Sequence, residues 1–317
     1  MNFRTQIPLN NSLSEQSKID YSSKVVLFGS CFSENISKKL SYFKFQNFSN
    51  PFGILFHPIA IERLITNAIN QKEYSEKEVF FHNERWHCFD AHSELSDISK
   101  EELIKNLNSQ ISSTYKQLHE STHLIITLGT SWIYRHIESN KIVANCHKVP
   151  QKKFLKELLS VDEISSNLEA IISLIKSVNP KTEIIFTASP VRHLKDGFTE
   201  NSLSKAHLIS AIHNVTEPRN HSHYFPSFEI MMDDLREYRF YNSDMIHPNE
   251  TAINYIWEAF KSVWIHKESV NLMSEIDTIQ KGLSHRPFNK NSKQHLLFLE
   301  NLQLKISALQ ENYTITF

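Results

Sequence analysis

Short apolar runs separated by helical patterns are the feature that most limits what this chain can fold into. Runs of strand length begin near residues 24, 123, 183 and 224. Segments whose apolar residues have helical spacing lie between them. This alternation is typical of an α/β fold. It predicts a three-layer α/β/α sandwich with a mostly parallel central sheet.

Local patterns set the boundaries of several predicted elements. A strand over residues 24–28 precedes a helix over residues 33–43, for which Ser33 is the expected N-cap. A long amphipathic helix is expected over residues 152–178. Residues 79–92 indicate a small hairpin insertion that turns at Asn83 and Glu84.

The chain divides by composition near residue 265. We expect residues 1–265 to form the α/β domain and residues 266–317 to form a helical C-terminal extension. The extension is charged and carries no obvious chemistry. Its helices offer a route to a homo-oligomer.

Charge and cysteine content exclude several classes of function. The 317-residue chain has a formal net charge of −1 without a long block of one sign, so we expect no nucleic-acid partner. No apolar run approaches the roughly 18 residues that a membrane helix needs, and the first residues lack a signal-peptide core. We therefore expect no membrane association. Cys31, Cys88 and Cys146 are too far apart for a disulfide framework or a CxxC metal site, which fits a reducing, cytoplasmic compartment.

Histidines in the predicted hairpin are the strongest candidates for metal ligands. His82, His87 and His92 are spaced by five residues, which places successive rings on opposite faces of a strand. A shared metal is therefore not expected, and nothing else in the chain predicts a cofactor.

Glycine is scarce enough to direct attention to the positions that keep it. The chain has five glycines, whereas average usage would give about 22. They are Gly29, Gly53, Gly129, Gly197 and Gly282. Each is a position where a turn or a close backbone approach is expected.

The first of these glycines ends the first predicted strand. Ser30 and Cys31, two candidate nucleophiles, follow Gly29 directly and precede a helix. Backbone N–H groups at a helix N-terminus favour negative charge, so an attacked carbonyl oxygen would be stabilised there.

Other polar residues follow later strands and belong to the same edge of the predicted sheet. They are Gly129-Thr130-Ser131, Ser189-Pro190-Val191-Arg192-His193 and the stretch from Asp244 to His247. Sites in parallel sheets lie at the carboxyl ends of the strands. Asp244, three residues before His247, can orient the imidazole and leave its other nitrogen free to act as a base.

These blocks, in this order, resemble the SGNH (GDSL-type) hydrolase superfamily. More narrowly, Gly29-Ser30-Cys31-Phe32-Ser33 resembles the signature of the GSCFA family, although its last residue is Ser rather than Ala. Further blocks resembling that family are Asn50-Pro51-Phe52-Gly53, Thr127-Leu128-Gly129-Thr130, Asn145-Cys146-His147-Lys148, the Ser189–His193 loop and Asp244-Met245-Ile246-His247-Pro248. The resemblance covers residues 24–265 and implies an SGNH-hydrolase-like fold.

The resemblance also implies a catalytic triad and an oxyanion hole. By position Cys31 is the nucleophile, with Ser30 as the alternative, and Asp244 and His247 complete the triad. The N–H groups of Cys31 and Gly53 would bind the oxyanion. The block at Gly129 carries Ser131 where the superfamily has an Asn side chain, a loss that costs roughly 3–4 kcal/mol of transition-state stabilisation unless it is replaced.

Three residues are candidates to replace the missing donor: Asn145, Arg192 and His193. Arg192 and His193 also suit an anionic or sugar-hydroxyl group of a substrate, while pairing of Arg192 with a nearby carboxylate is an equal alternative.

The sequence therefore predicts an ester hydrolase or acyltransferase that acts on an acylated carbohydrate or another small polar ester. The alternative is a catalytically weak or inactive domain of the same fold that binds a glycan or a protein. The missing Asn motivates this alternative.

Overall fold

A parallel sheet of five strands forms the centre of the computed structural model, which describes residues 6–9, 13–313 and 315–317. In chain order the strands are β1 (Lys24–Gly29), β2 (Gln46–Ser49), β3 (Val79–His82), β4 (Arg85–Cys88), β5 (His123–Leu128), β6 (Trp132–His136), β7 (Lys141–Val143), β8 (Phe154–Leu158), β9 (Glu183–Ala188) and β10 (Ser222–Tyr224). The helices are α1 (Cys31–Tyr42), α2 (Pro58–Ile69), α3 (Lys100–Glu120), α4 (Val161–Val178), α5 (Phe198–Val215), α6 (Ser227–Glu229), α7 (Glu250–Trp264), α8 (Lys267–Ser284) and α9 (Lys293–Asn312).

Helices cover both faces of the central sheet because successive strand residues point to opposite sides. Val26 and Phe28 of β1 lie in one buried cluster with residues of α2, α3, α4 and α5. Val25 and Leu27 lie in a second cluster with residues of α1 and α7. The predicted α/β fold with a mostly parallel sheet between helices is confirmed.

The strand order places a topological switch beside the first strand. The sheet runs β10-β9-β5-β1-β2, and all of its strand pairs are parallel. The chain passes from β1 to β2 on one side and then to β5 on the other. Loops after β1 and β5 therefore diverge at the carboxyl edge, which is where open α/β sheets bind their ligands.

Two small antiparallel units lie outside the central sheet. Strands β3 and β4 form the predicted hairpin, whose turn residues Asn83 and Glu84 have φ of 45° and 61°. Strands β7, β6 and β8 form a three-stranded sheet that the sequence patterns did not predict.

Because β8 belongs to this sheet, the predicted start of the helix over residues 152–178 is wrong. Phe154–Leu158 pairs with β6, and α4 begins only at Val161. Ser160 caps α4 in a capping box with Glu163, so the helix has a strong start signal and begins nine residues later than predicted.

The C-terminal helices bury a small cluster of their own. Leu272, Ile276 and Ile279 of α8 pack with Leu302 and Ile306 of α9. The α9 residues left exposed include Leu297, at 59 %, and Leu304, at 68 %. In the described part of the chain, no helix has the length and apolar character needed to span a bilayer.

Candidate functional site

The turn after β1 is fixed by Gly29. Its φ is 132°, and a Cβ at this position would lie 2.1 Å from the Thr127 carbonyl oxygen of the neighbouring strand. The Gly29 N–H donates to Asn50 Oδ1 over 2.9 Å. Because only glycine fits here, the chain leaves the sheet at one defined point and enters α1.

Ser30, not Ser33, is the N-cap of α1. The Ser30 Oγ accepts from the Phe32 N–H at 3.3 Å, while the Ser33 Oγ donates to the Ser30 carbonyl at 2.6 Å. The predicted cap was wrong because the helix begins two residues earlier, at Cys31. Ser30 is fully buried and used as a cap, whereas Cys31 keeps part of its surface exposed. Of the two candidate nucleophiles, only Cys31 is partly exposed.

The Cys31 thiol is held mainly in its neutral form. Burial raises its pKa, and the carboxylate of Glu34 adds to the increase. Its own N–H, that of Phe32 and the positive charge of Lys205 act in the opposite direction. Nucleophilic attack by this sulfur would therefore need a base to remove the proton.

Gly53 lies in a tight turn whose N–H is already in use. The Gly53 N–H donates to the Asn50 carbonyl over 2.8 Å, and the residue has φ of 71°. A Cβ would lie 2.4 Å from His92 Cβ, so the turn packs against the loop that follows the hairpin. An oxyanion at this position would have to share the donor with Asn50.

The block after β5 is tied to α5 rather than open to a substrate. The Ser131 Oγ donates to the Ser204 carbonyl at 3.2 Å and lies 3.0 Å from the Ser204 Oγ. The Ser131 N–H also donates to the Ser204 Oγ, at 2.8 Å. This hydroxyl is fully buried and is not free to supply the donor expected here. The Gly129 N–H donates to the Phe56 carbonyl at 2.7 Å, which fixes the same loop to the segment before α2.

Asp244 and His247 form the predicted pair on the loop before α7. The two side chains are partly exposed, and His247 Nδ1 lies 2.7 Å from Asp244 Oδ2. The Asp244 carboxylate also accepts hydrogen bonds from the backbone N–H groups of His247 and Ile246. Together with the bond from the imidazole, these hydrogen bonds lower the pKa of Asp244 to about 2. An ionised Asp244 selects the tautomer with the proton on Nδ1, which leaves Nε2 as the acceptor.

Arg192 and His193 follow β9 and approach this loop. The Arg192 N–H donates to the Ile246 carbonyl at 3.2 Å. The His193 ring is almost buried, stacks edge-on against Phe56 at 5.2 Å and leaves Nε2 without a hydrogen-bond partner. Burial, with smaller contributions from Lys205 and His247, lowers the pKa of His193 to about 3, so its ring is neutral.

Lys205 completes the site and is absent from the residues predicted for it. Its side chain is 1 % exposed, and Nζ donates to the Gly129 and Ser189 carbonyls over 2.8 and 2.7 Å. Burial lowers its pKa to about 7, and Cys31 acts against this shift. The available signal was its position on the apolar face of α5, three residues before Leu208 and seven before Ile212.

A cavity of about 440 Å³ lies beside these residues, between the β6–β8 sheet and the loops after β7 and β9. Asn145 and His193 both line it, with Phe56, Trp132 and Tyr134. Asn145 Oδ1 accepts from the His147 N–H at 2.8 Å. Cys31, Gly53 and His247 do not line this cavity, whereas Thr130 and His193, which follow β5 and β9, do.

The comparisons with known proteins identify the family. The model of the GSCFA family matches residues 24–260. The chain belongs to the GSCFA family. A second model, the C-terminal domain of GSCFA domain proteins, matches residues 276–316. No curated protein matches the chain significantly.

Charges near the sheet edge of this GSCFA protein influence one another's protonation. Lys205 acts to lower the pKa of Cys31, and Lys205 and His247 both act to lower that of His193. No hydrogen bond links Cys31 Sγ to His247 within the described residues. The described residues also contain no cluster of three His, Cys, Asp or Glu side chains that could hold a metal ion.

Proposed function

We propose that this GSCFA protein is an ester hydrolase or acyltransferase with Cys31 as nucleophile and His247, oriented by Asp244, as base. The chemistry is the SGNH-type acyl transfer that the sequence resemblance implies, with a thiol in place of a serine hydroxyl. The substrate class is a small polar ester, such as an acylated carbohydrate.

The proposed reaction proceeds in two steps. His247 Nε2 takes the thiol proton of Cys31 while the sulfur attacks the ester carbonyl. The carbon–oxygen bond of the ester then breaks, and the leaving alcohol receives the proton from His247. Water, or an acceptor alcohol, loses a proton to His247 and attacks the resulting thioester, which releases the acyl group and restores the thiol.

Two observations support the proposal. His247 Nδ1 lies 2.7 Å from Asp244 Oδ2, and Cys31 is a partly exposed thiol at the N-terminus of α1. The ionised carboxylate fixes the imidazole tautomer that a base requires. The N–H groups at the start of α1 favour both the thiolate and the oxyanion formed when it attacks.

A binding module of the same fold is the second candidate, and the oxyanion donors favour it. Ser131 is tied to Ser204, and the Gly53 N–H is tied to Asn50. A domain that has lost these donors would keep the cavity beside His193 and use it to hold a glycan or a partner protein.

The test compares Cys31→Ala with Ser30→Ala in turnover of a chromogenic acetate. Under the proposal, Cys31→Ala loses turnover, while Ser30→Ala keeps it and loses about 1 kcal/mol of stability with its helix cap. Iodoacetamide should abolish wild-type turnover as Cys31 is labelled, with the partly exposed Cys146 as the internal reference. Full turnover in Cys31→Ala would refute Cys31 as the nucleophile, and full turnover in both variants would refute acyl transfer at this turn. An inert protein that a specific glycan stabilises against heat would favour the binding module.

A further inference from the structure

Arg192 is a guanidinium without an acidic partner beside the proposed base. Its Nη1 is buried and has no hydrogen-bond partner. No carboxylate of the described residues lies within ion-pair distance of it. The sequence left open, as an equal alternative, that Arg192 pairs with a nearby carboxylate. The described residues contain no such pair.

The acidic residues of the segment that contacts Arg192 through Tyr238, Tyr241 and Ile246 have other partners. Asp244 is paired with His247 at 2.7 Å, and Glu237 is paired with Arg239 at 3.0 Å. No carboxylate of the described residues therefore forms an ion pair with Arg192. A buried donor on a charged group that lacks an acceptor is costly, so an acceptor from outside the chain is the arrangement that would satisfy it.

Aromatic rings hold the guanidinium in a fixed orientation. Its carbon lies 4.3 Å from the centre of the Tyr241 ring and 5.0 Å from that of Tyr238. Tyr241 in turn bridges to Pro248, and the Asn242 N–H donates to the His247 carbonyl at 2.8 Å. The segment that holds Arg192 is thus attached to the residue proposed as base. A planar fork held on aromatic faces is suited to bidentate recognition of carboxylate or phosphate.

We propose that Arg192 binds an anionic group, carboxylate or phosphate, of the substrate. This inference rests on the proposed function, because it assigns the substrate of the same site to the class of anionic esters. The part of the substrate that carries the charge would lie against Tyr238 and Tyr241, and the ester would lie towards His247.

The experiment measures anion binding without turnover. Thermal unfolding is followed in sodium phosphate, sodium acetate and sodium chloride at equal ionic strength, for wild type, Arg192→Met and Arg239→Met. Arg239 is a matched control because it lies on the segment that holds Arg192, its guanidinium carbon is 4.9 Å from the centre of the Phe240 ring, and it has its own acidic partner. Phosphate or acetate should stabilise wild type and Arg239→Met more than chloride does, and the better anion identifies the substrate's charged group.

In Arg192→Met the apparent dissociation constant of that anion should rise about tenfold or more, the effect of losing one charge-assisted hydrogen bond. Arg192→Lys, which keeps the charge but not the fork, should bind with intermediate affinity, and it carries the test if the Met variant does not fold. Wild type that is no more stable in either anion than in chloride would overturn the proposal, as would an unchanged dissociation constant in the Arg192 variants.

Failure of this inference is distinguishable from failure of the proposed function. Anion binding through Arg192 in a protein that hydrolyses no ester would leave the anion site standing and remove the hydrolase activity. Turnover of a neutral chromogenic acetate without anion binding would support the hydrolase activity and remove the anion site. If both hold, Arg192→Met should lower kcat/KM for a negatively charged ester more than for its neutral analogue, whereas Arg239→Met should change neither.

Discussion

Replacement of Lys205 by Met should change how the stability of this protein depends on pH. In the folded chain Lys205 has a pKa of about 7 because it is fully buried, whereas the ordinary value is 10.5. Between these two values the unfolded chain holds a proton that the folded chain has released. The free energy of unfolding therefore rises with pH across this window, by about 1.4 kcal/mol per pH unit.

The size of the effect follows from the two pKa values. Below pH 7 the lysine is charged in both states, so its unfavourable contribution is at its largest and constant. From pH 7 to pH 9.5 the wild type should gain about 3 kcal/mol relative to Lys205→Met, which lacks the titrating group. The variant also leaves the Gly129 and Ser189 carbonyls without a donor, at a cost of about 1–3 kcal/mol each, but this cost does not depend on pH.

Urea unfolding followed by tryptophan fluorescence at pH 7.0, 8.0 and 9.5, with a reductant present, measures the difference. The control is Lys105→Met, since Lys105 is an exposed lysine of α3. The Lys105→Met curve should stay parallel to that of wild type. If the Lys205→Met curve is parallel to wild type as well, the lysine is protonated in the folded protein over this range and the reasoning is refuted.

Three further predictions concern other parts of the fold. Gly29→Ala should prevent folding, because its Cβ would lie 2.1 Å from a backbone oxygen, and soluble yield with circular dichroism checks this; a folded variant would contradict it. The Glu183 carboxylate accepts hydrogen bonds from His223 and His221. Burial alone would raise its pKa, but these bonds outweigh burial and lower the pKa from 4.5 to about 2. It therefore stabilises the fold above pH 4.5, and this contribution is lost as the pH falls towards 2, so acid unfolding of Glu183→Gln should lack that part of the pH dependence. If copies associate through α9, the double variant Leu297→Glu, Leu304→Glu should lower the mass measured by light scattering, and an unchanged mass would exclude this surface.

The sequence was most informative where one local signal decides the structure. Apolar runs that end at Gly29 and Leu128 are strands because they are buried on both faces, and the structure contains them at the predicted places. Asn83 and Glu84 take positive φ in a two-residue turn, which the change of pattern between β3 and β4 indicated. The order of these elements was enough to predict a parallel sheet.

Strands that depend on a partner were not predictable in this way. Strand β2 is short, polar and half exposed, so only its pairing with β1 makes it a strand. Strand β8 lies where residues 154–158 also fit a helix, and pairing with β6 decides between the two. Such pairings join residues far apart in sequence, and no local periodicity records them.

By itself, then, the sequence determined the α/β class and the family, and it predicted a shared sheet edge for Cys31, Asp244 and His247. Only the tertiary structure decided which side chains at that edge are free. It shows Ser30 used as a helix cap, Ser131 tied to Ser204, Lys205 buried against two carbonyls and Arg192 without an acid. The physical reason is that the chemical role of a polar group depends on its burial and its hydrogen-bond partners, and both are set by segments distant in the chain.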